Sequence, residues 1–196
     1  MVKILNIHGF DGHAENPLYR KLCKEFGSEK IISPQFDYRS PPFSTYTNIM
    51  DLAGAYISTS QEKSDGDWIE HIPEHSIGLV VGNSLGGYWA LIAMNLLPKN
   101  VKVMLFNPSL KPHITLQKYG LAKDALKYYE ENPISNDSFL EELNLEVFIG
   151  DSDEVIDHTE SIKRLQRLGK CVTIVPGVGH RFTEEDLEGL RFEFSS

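Results

Sequence analysis

A mostly parallel sheet with helices on both faces is the architecture this sequence predicts, and three observations predict it. Short apolar runs alternate along the chain with segments of helical spacing, the pattern of a parallel sheet joined by helical crossovers. One run, Gly78-Leu79-Val80-Val81, leads straight into Gly82-Asn83-Ser84-Leu85-Gly86 and then a helical segment, the strand-turn-helix setting that presents a nucleophilic serine. Two later runs end in Gly150-Asp151-Ser152-Asp153-Glu154-Val155 and in Gly179-His180-Arg181-Phe182. Serine, then aspartate, then histidine is the order of the compact α/β-hydrolase fold, whereas chymotrypsin-like and subtilisin-like folds run their triads in other orders.

Strands are expected at Lys3 to Ile7, Lys30 to Ser33, Gly78 to Gly82, Val101 to Phe106, Leu145 to Ile149 and Cys171 to Val175. Asn16-Pro17 starts a first helix whose Leu18, Leu22 and Phe26 recur every four residues and face the sheet. A second helix carries Tyr46, Ile49, Ala53, Tyr56 and Ile57. The helix after the serine turn runs through Tyr88, Trp89, Leu91, Ile92, Met94 and Asn95 until Pro98 stops it, and its apolar content implies burial all round. Late helices start at Asp157-His158-Thr159-Glu160, closed by Gly169, and at Thr183-Glu184-Glu185-Asp186, each with a capping side chain followed by an acid three residues on. Ser58 to Asp67 is too polar to bury anything and reads as a surface loop. The segment from Asn107 to Leu143 exceeds a normal crossover and holds an amphipathic stretch with Leu121, Ala122, Ala125, Leu126 and Tyr129. A small lid or pocket wall is therefore expected at about 107–144.

With 196 residues the chain fits one α/β domain, 1–196, in which roughly 70% of the unfolded surface can be buried. A net charge of -9 argues against a nucleic-acid surface, which needs clustered Lys and Arg. Lys163-Arg164 and Arg167 read instead as a solvated helix face. No apolar run approaches the ~20 residues of a membrane span. Two cysteines, Cys23 and Cys171, and a start that reads directly as a strand without a signal-peptide cleavage region point to a cytoplasmic protein with reduced thiols. The sequon Asn136-Asp137-Ser138 carries little weight in that setting. The oligomeric state is left open.

Chemically, Ser84 needs a base, and His180 is the candidate, taking the serine proton during attack and returning one to the leaving group. Asp151, Asp153 and Asp157 compete to orient the histidine. Asp153 fits the Gly-x-x-Asp-x-Val pattern best, with Val155 docking the chain back on the core, while Asp157 has an independent reason to exist as a helix cap. The oxyanion donors are expected to be the backbone N–H groups of Leu85, after the nucleophile, and Phe10, in His8-Gly9-Phe10 after the first strand. His8 would brace that loop from below. Activity would rise with pH through the histidine range, about 6 to 7.5. No cofactor and no metal is called for.

The residues Ile7-His8-Gly9-Phe10, Val81-Gly82-Asn83-Ser84-Leu85-Gly86-Gly87-Tyr88, Phe106-Asn107-Pro108 and Asp153-Glu154-Val155-Ile156-Asp157 resemble the YqiA-like esterases, a compact branch of the α/β-hydrolase superfamily. The resemblance covers most of the chain and is weakest in Ser58 to Ser76 and Lys111 to Leu143. It implies Ser84 as nucleophile, Asp153 as acid and His180 as base, and hydrolysis of small acyl esters without a cofactor. The chain departs from the family pattern at Asp11-Gly12-His13, which places a charge beside the oxyanion site and bears on which esters are accepted.

Other readings use the same residues differently. Thioesterase or peptidase activity needs only a different pocket around the same triad, and a hydrolase fold can also serve as a non-catalytic partner-binding protein. His71-Ile72-Pro73-Glu74-His75 matches a zinc-peptidase signature, but Pro73 disrupts the helix such a site needs, and no third ligand is evident. Phe36, Tyr38, Tyr88 and Trp89 could wall an apolar pocket, although core packing is the reading favoured for each. A small lid on this scaffold leaves room for short or medium acyl groups.

Overall fold

The computed structural model describes residues 2–58 and 76–192, without the side chains of 55–58. The polar stretch following Ser58, the side chains of Tyr56 and Ile57, and His71-Ile72-Pro73-Glu74-His75 lie outside the described residues. Six strands, β1 (Lys3–Ile7), β2 (Ile31–Ile32), β3 (Ile77–Asn83), β4 (Lys102–Phe106), β5 (Asn144–Gly150) and β6 (Cys171–Val175), form one sheet in the order β2-β1-β3-β4-β5-β6. Every pairing among them is parallel. No helix among the described residues is long and apolar enough to cross a membrane.

The strand order reverses between β1 and β3, and in open parallel sheets ligands bind beyond the carboxyl ends of the strands at such a switch point. Register fixes what gathers there. Ile7 lies beside Gly82, Asn83 beside Phe106, Phe106 beside Phe148, and Gly150 beside Val175. The residues that follow each strand, Gly9, Ser84, Asn107, Asp153 and His180, therefore emerge along one rim of the sheet.

Period-two alternation divides the core between the two faces of the sheet. Leu5, Val80, Leu105 and Val147 pack on one face with helices α2 (Pro42–Ser58), α3 (Leu85–Ala93) and α5 (Lys123–Glu131). Ile4, Leu79, Val81, Met104, Phe106 and Phe148 pack on the other with α1 (Pro17–Phe26) and α8 (Glu184–Leu187). Helix α1 begins as expected, with Pro17 in the first turn and Asn16 Oδ1 accepting the Tyr19 N–H at 2.8 Å. In α8 the Thr183 and Asp186 side chains each bond the other's backbone, a complete capping box. The remaining helices are α4 (Pro112–Thr115), α6 (Asp137–Glu142) and α7 (Thr159–Arg167).

Helix α3 is the central one, with Leu85 through Leu91 all buried. Trp89 is stacked or edge-packed against Tyr88, Tyr128 and Tyr129, and the Tyr88 hydroxyl donates to the Asn132 carbonyl at 2.7 Å. It ends at Ala93, earlier than the expected stop at Pro98. Asn95 turns its Nδ2 onto the Ile92 carbonyl, and the Asn95 and Leu96 N–H groups bond three residues back, which tightens the last turn out of α geometry. Strand β2 is likewise shorter than expected, because Ser28–Lys30 forms a 3₁₀ turn that consumes its first residue.

Candidate active site

Ser84 has φ 53° and ψ -119°, a conformation that L residues rarely hold, between the end of β3 and the first turn of α3. The flanking glycines do not share that strain. Their role is close approach: a Cβ on Gly82 would lie 2.5 Å from the Gly86 carbonyl oxygen, and one on Gly86 would lie 2.1 Å from that of Ile7. The Ser84 N–H is held by the Phe106 carbonyl at 2.9 Å, so the strained turn is tied to the neighbouring strand.

His180 Nε2 is 2.9 Å from Ser84 Oγ, and its Nδ1 is 3.0 and 2.9 Å from the two carboxylate oxygens of Asp153. Of the three aspartates considered, Asp153 is the one that meets the histidine. Asp151 accepts from Ser152 Oγ and from the Gly177 N–H, and Asp157 accepts the Thr159 N–H at 2.9 Å at the start of α7. The Asp153 side chain is 2% exposed and that of His180 12%. Burial pushes the Asp153 carboxyl upward, but hydrogen bonds from His158, His180 and the N–H groups of Ile156 and Val155 outweigh it and hold the group well below the usual carboxylate range. Asp153 is therefore a firmly ionised acceptor aimed at the Nδ1 side of His180.

Leu85 is the first residue of α3, so its N–H belongs to the helix-terminal donors without an intrahelical partner, while Phe10 borders the cleft in front of Ser84. Gly9 brings the Phe10 loop in, since a Cβ there would lie 2.9 Å from Ser84 Cβ and 3.0 Å from the Asn83 carbonyl oxygen. His8 braces that loop from within the core. Its Nδ1 donates to the Gly9 carbonyl at 2.8 Å and its Nε2 accepts the Phe36 N–H at 2.9 Å, which fixes one neutral tautomer; burial lowers its pKa in the same sense. The Tyr38 hydroxyl donates to the His8 carbonyl at 2.7 Å. Phe36 and Tyr38 are thus core residues that support the loop, and with Tyr88 and Trp89 they stay out of the cleft lining.

The cleft in front of Ser84 holds about 760 Å³. Its lining includes the apolar Phe10, Leu116, Tyr119, Val155 and Ile156 and the polar Asp11, His13, Arg20 and Arg181. The long connection between β4 and β5 contributes Thr115, Leu116 and Tyr119 to the wall, whereas α5 packs by Tyr129 onto Tyr88 and Trp89 instead. Asp11, the departure noted in the sequence, has φ 52° and turns its carboxylate onto Arg39, whose guanidinium also lies 5.0 Å over the Phe10 ring. Its charge is thereby paired on the rim.

Three residues make contacts at the site that the sequence does not announce. Asn107, fully buried with φ 42°, donates from Nδ2 to the carbonyls of Gly179 and His180 and accepts the Gly150 N–H on Oδ1. It ties the acid loop to the histidine loop. The Glu154 side chain accepts the His180 N–H at 3.1 Å. His158 Nε2 lies 2.8 Å from Asp153 Oδ2. Asp157-His158-Thr159 carries a helix-start signal that accounts for all three residues, and so hides the last contact in the sequence.

Solved structures share this architecture at low identity, and the likeness is one of fold. An esterase domain of a Rhodothermus marinus protein superposes with a TM-score of 0.61 at 17% identity over 94% of this chain and 81% of that one. Est1E from Butyrivibrio proteoclasticus gives 0.60 at 17% identity over 91% and 79%. An alpha/beta hydrolase from Novosphingobium aromaticivorans gives 0.53 at 15% identity over 95% and 85%. None of the curated proteins matches the chain. A family model does match, over residues 3–188: the chain, with its α/β-hydrolase fold, belongs to the uncharacterised protein family UPF0227, the YqiA-like family.

Proposed function

We propose that the chain is a serine hydrolase that cleaves small acyl esters through an acyl-enzyme. The observation that carries this reading is the unbroken line of hydrogen bonds from Ser84 Oγ through His180 to Asp153. Ser84 Oγ attacks the ester carbonyl carbon while His180 Nε2 takes its proton. The carbonyl π electrons move onto oxygen, and the oxyanion is stabilised by the backbone N–H groups of Leu85 and Phe10. On collapse the bond to the alcohol oxygen breaks, and the Nε2 proton passes to that oxygen. Water then repeats the sequence on the acyl-enzyme, releasing the carboxylic acid and restoring Ser84. Asp153 stays ionised throughout, holding the Nδ1 proton and stabilising the imidazolium.

The apolar lining of the cleft suits the acyl group, with Leu116 and Tyr119 from the connection at about 107–144 acting as the pocket wall. The small wall that this connection builds, rather than the cleft volume of about 760 Å³, is what favours short and medium chains. Turnover of p-nitrophenyl acetate, butyrate and palmitate by the purified protein and by Ser84→Ala tests the reading. Acetate and butyrate are expected to be cleaved fastest, with kcat falling by about 10³-fold or more in the variant. Equal turnover by Ser84→Ala would overturn it.

A further inference from the structure

Asp153 serves two imidazoles, and the chemistry above uses one of them. His158 Nε2 and His180 Nδ1 lie 2.8 and 2.9 Å from the same oxygen, Oδ2, while Oδ1 takes the N–H groups of Val155 and Ile156 and a 3.0 Å contact from His180. The His158 side chain is 4% exposed and does not border the cleft, so it touches no substrate. A carboxylate only accepts, so the His158 proton facing it sits on Nε2. The other ring nitrogen, Nδ1, is buried and has no partner among the described residues. His158 therefore meets Asp153 as an Nε2–H donor. The ionisable groups in contact with it or beside it in the chain are Asp153, which it shares with His180, Asp157, and, two residues on, Glu160, paired with Lys111.

Resting on the serine-hydrolase reading, we infer that His158 is a positioning residue of the site: its Nε2–H clamps Asp153 Oδ2 and takes up part of the carboxylate charge that would otherwise act on His180. The clamp has two consequences. Asp153 is held by donors from three directions, its own loop, His158 and His180, so it cannot turn away from the base. The charge His180 feels is shared, so the imidazolium is stabilised less than by an unshared carboxylate.

Two variants separate these effects from a merely structural role. His158→Phe keeps the ring and removes the donor; His158→Gln returns an amide N–H close to the Nε2 position. The first readout is the titration of His180 followed by ¹⁵N NMR of the imidazole, which does not depend on turnover, and the second is kcat/KM against pH for p-nitrophenyl acetate. In His158→Phe the His180 midpoint is expected to rise by about one pH unit, with the acid limb of kcat/KM moving with it and kcat/KM at pH 7 falling several-fold. His158→Gln should bring both most of the way back. An unmoved His180 midpoint in His158→Phe, or a His158→Gln profile displaced as far as that of the phenylalanine variant, overturns the inference. So does a wild-type spectrum in which His158 carries its proton on Nδ1, a result available even if His158→Phe fails to fold. A wild type that shows the midpoint shift on mutation but turns over no ester keeps the coupling through Asp153 and removes the hydrolase reading.

Discussion

Replacing Asn107 by aspartate exchanges one heavy atom, the amide nitrogen for an oxygen, and should uncouple the two loops that carry Asp153 and His180. Asn107 has no exposed surface, and its Nδ2 faces the Gly179 and His180 carbonyls at 2.9 and 3.0 Å. In Asn107→Asp the acceptor for the Gly150 N–H survives, but an oxygen now confronts two carbonyl oxygens. Losing two buried hydrogen bonds costs about 1–3 kcal/mol each. A buried carboxylate takes up a proton and recovers one of them, which leaves about 1–3 kcal/mol, and drawing that proton from neutral solution costs about 4 kcal/mol more for an ordinary aspartate, so the net loss is about 5–7 kcal/mol at neutral pH. The deficit should shrink by about 1.4 kcal/mol for each pH unit lowered towards the ordinary aspartate range, because the proton costs less to take up, and this sign separates the polar contact from simple packing. Urea unfolding at pH 7 and pH 5 reads the stability, and the rate of ester hydrolysis by the folded protein reads the release of the His180 backbone, with a fall of about tenfold or more expected. Stability within about 0.5 kcal/mol of wild type at pH 7 with an unchanged rate would refute the reasoning.

Gly9→Ala should act on the oxyanion side: the added methyl meets Ser84 Cβ and the Asn83 carbonyl, so the Phe10 loop must retreat. The expected outcome is a loss in kcat of about 10²-fold, as for removal of one oxyanion donor, with KM for acetate esters little changed; an unaltered kcat would contradict the assignment of Phe10. Asp153 gives a pH signature of stability. Its carboxyl lies below its unfolded value, so its contribution is present above about pH 4 and is lost as pH falls through the folded value. Thermal melts from pH 6 to pH 3 should therefore show a steeper loss in wild type than in Asp153→Asn, and parallel curves would count against the hydrogen-bonded carboxylate. His8, buried as the neutral tautomer, adds acid sensitivity from about pH 6.5 downward in both proteins.

The serine turn was legible because several local demands coincide in a few residues. An apolar strand, two glycines where backbones nearly touch, and an all-apolar helix leave little else for Gly82 to Gly86 to be. Asp153 and His180 were legible by chain order and by the strands before them, and the core by its period of two. What escaped is tertiary. In the sequence Asn107 stands out only as part of Phe106-Asn107-Pro108, yet its φ of 42° and its three bonds depend on two loops brought alongside it by register. His158 escaped because a helix start explained its neighbourhood. The end of α3 was misjudged for the opposite reason: Pro98 is a strong stop signal, but Asn95 bonding back to Ile92 acts one turn sooner. The charge introduced by Asp11 could be read, and its neutralisation by Arg39 from a distant loop could not.

The most direct measurement is reaction of the purified protein with a fluorophosphonate, followed by mass spectrometry of its peptides and repeated on Ser84→Ala and His180→Ala. A base-activated Ser84 predicts a single adduct on the peptide that contains Ser84, none on the Ser84→Ala protein, and labelling slowed by about 10³-fold or more in His180→Ala. A folded wild-type protein that takes up no probe, or one labelled equally well without Ser84 or His180, would contradict the account.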